Sequence, residues 1–199
     1  GVGRVASFDP DSIMLGEVGA RYTALPGLTF ASALSYAHWS NVLGDLVTLR
    51  GTPISTNLGP AKIFAFEASA NWDSGTGWSL GAAVIRTDNR ITGEIPLQSA
   101  PKNRMLPSAP KFSATANLRY TAQQKAGRSW SAGLNAQYVG RSVLGSGPLL
   151  DISQGQYANV DFDARLVRSP VAFSLQVTNL LNSQANRFAL GNPLTLYRR

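Results

Sequence analysis

His38, Ser40 and Asn41 fall close together and are the side chains of a nucleophilic hydrolase, so chemistry is looked for there first. On an extended segment His38 and Ser40 share a face while Asn41 points to the opposite one. Neither an acid to orient the imidazole nor an oxyanion donor is evident beside them. The sequence therefore predicts no enzyme, with His38 a polar residue near a rim. Cys is absent and His38 is the single histidine. That excludes disulfide scaffolds, zinc fingers, thiol nucleophiles and His-cluster metal sites. A metal would have to rest on carboxylates alone, and no cofactor is expected.

The remaining chemistry is charge. Lys and Arg outnumber Asp and Glu to give a formal net charge of +7 over 199 residues, with a pI of about 10.1. The 14 Arg and 4 Lys are scattered, without a basic helix or an RNP-like aromatic motif, so nucleic acid is not an expected partner. At 15% charged and 44% hydrophobic the composition excludes disorder. No apolar run approaches the ~18 residues of a spanning helix.

The elements that must carry these charges are strands. Phe112, Ala114, Ala116, Leu118 and Tyr120 alternate with Ser113, Thr115, Asn117, Arg119 and Thr121. Trp130, Ala132, Leu134, Ala136 and Tyr138 alternate with Ser131, Gly133, Asn135 and Gln137. Ala158, Val160, Phe162, Ala164 and Leu166 oppose Asn159, Asp161, Asp163 and Arg165. Strict alternation of this kind marks a sheet with one apolar and one polar face. Weaker copies complete about eight long strands, expected near 12–23, 28–48, 62–73, 78–92, 111–121, 129–142, 157–168 and 171–187.

Connections alternate in length. Short ones fall at Pro26-Gly27, Ser74-Gly75-Thr76-Gly77, Gln123 to Arg128 and Ser169-Pro170, mostly with turn chemistry. Long ones fall at about 49–61, 93–110 and 143–156. An all-β antiparallel meander with every other connection long is the pattern of an outer-membrane β-barrel. The aromatics agree. Phe64 and Trp72, Phe112 and Tyr120, and Trp130 and Tyr138 are each eight residues apart on one face. At ~3.3 Å per residue and ~40° tilt each pair spans about 20 Å, near the ~25 Å apolar band of such barrels. Tyr22, Trp72, Trp78, Tyr120 and Trp130 gather beside the short turns, and Phe64, Phe112 and Tyr138 at the other end. A soluble β-sandwich also alternates, but it accounts for neither the turn–loop asymmetry nor the matched aromatic pairs.

Three stretches carry a family resemblance. Leu15-Gly16-Glu17-Val18-Gly19-Ala20-Arg21-Tyr22, Asn57-Leu58-Gly59-Pro60-Ala61-Lys62-Ile63-Phe64-Ala65-Phe66-Glu67 and Val177-Thr178-Asn179-Leu180-Leu181-Asn182 resemble late-barrel motifs of TonB-dependent outer-membrane receptors. Ala65 stands where Gly is usual, and Leu181 and Asn182 are conservative departures. Between them, Leu106-Pro107-Ser108-Ala109-Pro110-Lys111 resembles the entry to a late strand, and Tyr138-Val139-Gly140-Arg141 a common strand ending.

The resemblance covers nearly all of 1–199 and implies a single-domain part of a barrel of about 22 strands around a plugged lumen. The family's plug, TonB box and aromatic-ended closing strand are expected outside this sequence. The implied function is the wall of a Gram-negative outer-membrane receptor for TonB-coupled import of a scarce ligand such as a ferric siderophore. A passive porin or a truncated remnant is the alternative. Glu17, Arg21, Glu67, Arg119, Asp161, Asp163 and Arg165 are expected to face the lumen and the plug. Arg50, Arg90, Lys102, Arg104 and Lys111 are expected in extracellular loops or at strand tops, attracting an anionic ligand or lipopolysaccharide phosphates. The implied partners are outer-membrane lipid and lipopolysaccharide, the TonB complex through the plug, and the imported ligand.

Overall fold

The turn residues decide how the strands return. In the computed structural model, which describes residues 8–48, 50–95, 104–124, 128–146 and 150–184, Gly27 and Gly77 close two short turns at positive φ. A side chain at either would strike the backbone carbonyl of the next hairpin, Asp73 O at 2.1 Å and Thr121 O at 2.2 Å. These glycines therefore serve both their own turns and the packing of neighbouring turns.

Eight strands follow in one antiparallel sheet. In chain order the elements are β1 (Ser12–Leu25), β2 (Leu28–Ser40), β3 (Leu43–Val47), β4 (Pro53–Asn57), β5 (Ala61–Asp73), β6 (Trp78–Ile91), β7 (Phe112–Gln124), β8 (Arg128–Val139), β9 (Ser142–Val143), β10 (Ser153–Gln154), β11 (Tyr157–Arg168) and β12 (Val171–Val177). The main sheet runs β1-β2-β5-β6-β7-β8-β11-β12, each strand beside the next along the chain, with β3-β4 and β9-β10 as small hairpins in two of the long connections. All short turns lie at one end and all long connections at the other. The fold is all-β, as the alternation predicts.

Two expected strands end early. The segment expected as one strand over 28–48 is interrupted after Ser40. Asn41 takes a left-handed φ of 52° and donates its amide to Pro10 O at 3.2 Å. Val42 then pairs with Gly59 and Leu58 through backbone bonds of 3.0 and 2.6 Å, starting the β3-β4 hairpin. Asn and Asp tolerate this conformation better than other L residues, which is why the break falls there. The segment expected over 171–187 ends at Val177. Beyond it, Asn179 and Asn182 both have positive φ and form a turn, and 185–187 lie outside the described residues.

Cross-strand register fixes the faces. Partners in an antiparallel pair point the same way, and one continuous chain of partners runs Val18–Leu34–Phe66–Arg86–Phe112. Even-numbered residues of β1 as far as Thr23 and of β2, β5, β6, β7, β8 and β11 therefore share one face, the even face, and odd-numbered residues the other; β12 is offset by one, so that its Phe173, Leu175 and Val177, opposite Leu166, Ala164 and Phe162, are on the even face. The even face is apolar over its middle and open to solvent in this chain: Val18 is 68% exposed, Phe64 49%, Leu134 43% and Phe173 65%. A sandwich would bury such a face under a second sheet, and no second sheet covers it among the described residues.

The buried core lies instead at the loop end. Val42, Leu46, Leu58, Ala61, Ile91, Ile95 and Leu106 form it, with Trp39, Ile54, Ile63 and Ala109 against it. Trp39, Ala61, Ile63 and Ile91 are odd-numbered strand residues. The β2–β5 and β6–β7 connections thus pack together over the odd face.

Candidate functional site

The odd face is the polar one, and its charges are organised by small residues. Arg119 and Asp163 are on β7 and β11, with Gly133 of β8 between them in register. Because Gly133 has no side chain, Arg119 reaches across β8 and its Nη2 donates to both carboxylate oxygens of Asp163 at 2.8 and 2.9 Å. A Cβ at Gly133 would lie 3.0 Å from Arg119 Nη2 and 3.0 Å from Asp163 Oδ1. Gly81 gives Asn117 room in the same way: a Cβ there would come within 2.6 Å of the Asn117 amide.

Asp161, one pleat along, has a different task. Its Oδ1 accepts from Asn159 Nδ2 at 3.0 Å and from the backbone N–H of Asn179 at 2.8 Å. Asn179 closes its own turn by accepting from Ser183 N at 2.7 Å. Asp161 therefore ties the turn after β12 to the polar face. Asn117, Asn135, Gln137, Asn159 and Asp161 line a groove of about 270 Å³. Asn159 Oδ1 is buried there without a hydrogen-bond partner among the described residues, leaving an acceptor for an incoming donor.

Glu17, Arg21, Glu67 and Arg165 are on this face too, by register. None of them forms an ion pair or side-chain hydrogen bond with a described residue. The expected inner set thus shares one face, but only Arg119, Asp161 and Asp163 are tied into contacts. Sequence reading missed Gly133, Gly81 and the amides of the groove, because their importance appears only when strand register is known.

An apolar, aromatic-edged face, a charged opposite face and one-sided long connections are the anatomy of a membrane-barrel wall. A family model described as TonB dependent receptor-like, beta-barrel matches residues 11–180. The chain belongs to the TonB-dependent receptor β-barrel family. No curated protein matches it at a significant level. Among solved structures it is similar to the ferric yersiniabactin uptake receptor FyuA from Yersinia pestis, at 21% identity and a TM-score of 0.77, covering 96% of this chain and 28% of that one. It is also similar to the ferric-catecholate import receptor Fiu from K12 E. coli, at 19% identity and 0.70, covering 96% and 26%. The copper transporter OprC matches at 16% identity and 0.66, covering 88% and 26%. The chain spans less than a third of the length of each, and the likeness establishes the fold. The family and these structures are transport receptors rather than enzymes.

The resembling motifs of this receptor segment act at the loop end and at the last turn. Leu58 is buried, Gly59 has φ 83°, and Pro60 O accepts from Thr92 N at 2.7 Å, locking β4 and β5 against the next connection. Leu106 N donates at 2.9 Å to Oδ1 of Asn89, which is only 2% exposed. Thr87 Oγ1 donates to Pro110 O at 2.8 Å. The Leu106–Lys111 stretch is therefore stitched along β6 before β7 begins. At the strand ending, Gly140 N donates to Phe112 O at 2.8 Å.

The five loop-end basic residues are not one cluster. Arg50 is exposed in the β3-β4 turn, and Lys111 is exposed before β7. Arg104 donates to Gly93 O at 2.8 Å, bracing its own loop. Arg90 is on the even, apolar face, with its Nε 2.8 Å from Asp88 Oδ1. Lys102 lies outside the described residues. His38 and Ser40 share the even face, while Asn41 has left the strand altogether, so the three converge on no common point. Among the described residues no group of three His, Asp or Glu is placed to hold a metal.

Proposed function

We propose that this chain is wall and extracellular loops of a Gram-negative outer-membrane receptor that imports a scarce metal chelate such as a ferric siderophore, driven by TonB through a plug outside this sequence. The observation that carries it is the division of faces: an apolar even face edged by aromatics, and a polar odd face, in a chain matching the receptor barrel family over 11–180. In this reading the even face meets lipid. The short turns face the periplasm and the long connections face outside. Glu17, Arg21, Glu67 and Arg165, which pair with no described residue, meet the plug or lumen water together with the Asn159 carbonyl. Arg50, Lys102, Arg104 and Lys111 lend the outer mouth a positive field for an anionic chelate. The names of the similar structures, two for ferric complexes and one for copper, favour such a ligand.

The test is uptake of radiolabelled ferric siderophores by cells carrying the intact gene and by cells with it disrupted, with and without a protonophore. The reading expects gene-dependent accumulation that stops when the proton-motive force is collapsed. Gene-dependent flux that continues under the protonophore would make the protein a passive porin instead.

A further inference from the structure

Asn57 opens the second resembling stretch, and its side chain has a task that neither face of the sheet uses. Its Oδ1 accepts from Asp9 N at 3.0 Å and its Nδ2 donates back to Asp9 O at 3.0 Å. A side-chain amide thereby stands in for a strand, giving one residue both bonds of an antiparallel pair. The second Nδ2 hydrogen goes to Asn41 O at 2.9 Å, so both donors of the amide are used. Beside it, Asn41 Nδ2 donates to Pro10 O at 3.2 Å and Trp39 Nε1 to Asp11 Oδ2 at 2.9 Å. The segment 8–11, which enters β1 at the loop end, is thus strapped to the β2–β5 connection.

Two further joints continue the row. Pro60 O accepts from Thr92 N at 2.7 Å, and Gly59 and Gly93 meet back to back. A Cβ on Gly93 would lie 2.7 Å from Pro60 Cδ and 3.2 Å from Gly59 Cα, so the approach needs a residue without a side chain. The β6–β7 connection then reaches the next one, where Ser108 N donates to Val143 O at 2.7 Å. Ser108 holds a left-handed φ of 56° there, a conformation that a residue with a side chain keeps only where its surroundings enforce it. Val143 is buried, in a hairpin whose Ser142 Oγ donates to Gln154 Oε1 at 2.7 Å. Loops ordinarily open one by one, because few contacts cross between them. Here a hydrogen-bonded joint crosses each boundary, and a shared core lies under the middle connections.

We propose that the segment 8–11 and the β2–β5, β6–β7 and β8–β11 connections form one preassembled collar that opens as a unit, with Asn57 as its keystone. Arg50, Arg104 and Lys111 are carried on this body at fixed mutual positions. Arg104 shows how: its carbonyl accepts from Ile91 N at 2.7 Å and its guanidinium donates to Gly93 O at 2.8 Å. The collar goes beyond the importer reading and rests on these contacts, so it holds or fails whatever crosses the barrel.

The experiment is hydrogen–deuterium exchange read by mass spectrometry on the full-length receptor in lipid nanodiscs, without added ligand. Compared are the wild type, Asn57→Ala and Gly93→Ala. Peptides covering 8–11, 89–95 and 104–110 report the joints at Asp9, Thr92 and Ser108. In the wild type all three should be protected to a common degree, a result that needs no substitution. Each variant should speed exchange about tenfold or more at all three, including the joints it does not touch. Exchange at the short-turn end, 73–78, should stay as it is in the wild type. Acceleration confined to the altered joint would overturn the collar in favour of independent loops. So would joints that exchange like unstructured chain in the wild type. Acceleration that reaches 73–78 would overturn it too, because the connections would then open only with the whole barrel.

Discussion

At the scale of single residues, the polar face is built by what is missing at Gly133. The Arg119–Asp163 pair is part-exposed, 41% and 31% at the side chains, so solvent screens it and its coupling should be modest, about 0.5–1 kcal/mol. A double-mutant cycle of Arg119→Gln and Asp163→Asn, read from urea unfolding of the full receptor in lipid, should return a coupling of that size. Gly133→Ala should cost about the same in the wild type and much less once Arg119 is Gln. A cycle with no coupling would mean the pair is a surface coincidence. These residues show the limit of sequence reading. Arg119 and Asp163 were readable as residues of the polar face, because alternation assigns faces within a strand. That they meet, and that Gly133 lets them, depends on register between strands 44 positions apart in the chain.

At the scale of elements, two kinds of stability separate. The sheet has little internal core; its apolar face is open, and the buried residues sit where two loop connections pack on the odd face. Leu58, 1% exposed, is central to that loop core. Leu58→Ala should cost about 2–5 kcal/mol locally. It should show as faster proteolysis within 41–60 while the sheet stays intact; simultaneous loss of the sheet would place the loop core in the barrel's own folding. Strand faces give the complementary prediction. Ala116 is mid-band on the even face and Thr115 on the odd face. Ala116→Arg should cost about 2–4 kcal/mol of membrane insertion stability and Thr115→Arg close to none, measured by the fraction of receptor assembled in the outer membrane. Equal costs would contradict the assignment of faces.

Main-strand positions were legible from alternation and turn residues, since both are local. The break at Asn41 was not. The sequence alternates through it, and only the pull of Leu58 and Gly59 on Val42 makes a hairpin there. Arg90 was expected in the loop-end group that draws an anionic ligand, yet strand parity puts it on the even, apolar face, paired across the strands with Lys62. The end of β12 was missed for a similar reason: Asn179 and Asn182 favour a turn once Asp161, on another strand, takes the Asn179 amide.

At the scale of the whole molecule, the receptor reading requires the even face to meet lipid. The chain contains no Cys, so each introduced thiol is the single one in this segment, and a nitroxide can be placed in turn at 112–120 and 130–138 of the full-length receptor in outer membranes. A lipid-facing even face predicts an alternating pattern along both strands. Even positions should be relaxed by dissolved oxygen, which partitions into lipid, and odd positions shielded from it. Uniform accessibility, or an alternation with odd positions facing lipid, would contradict it.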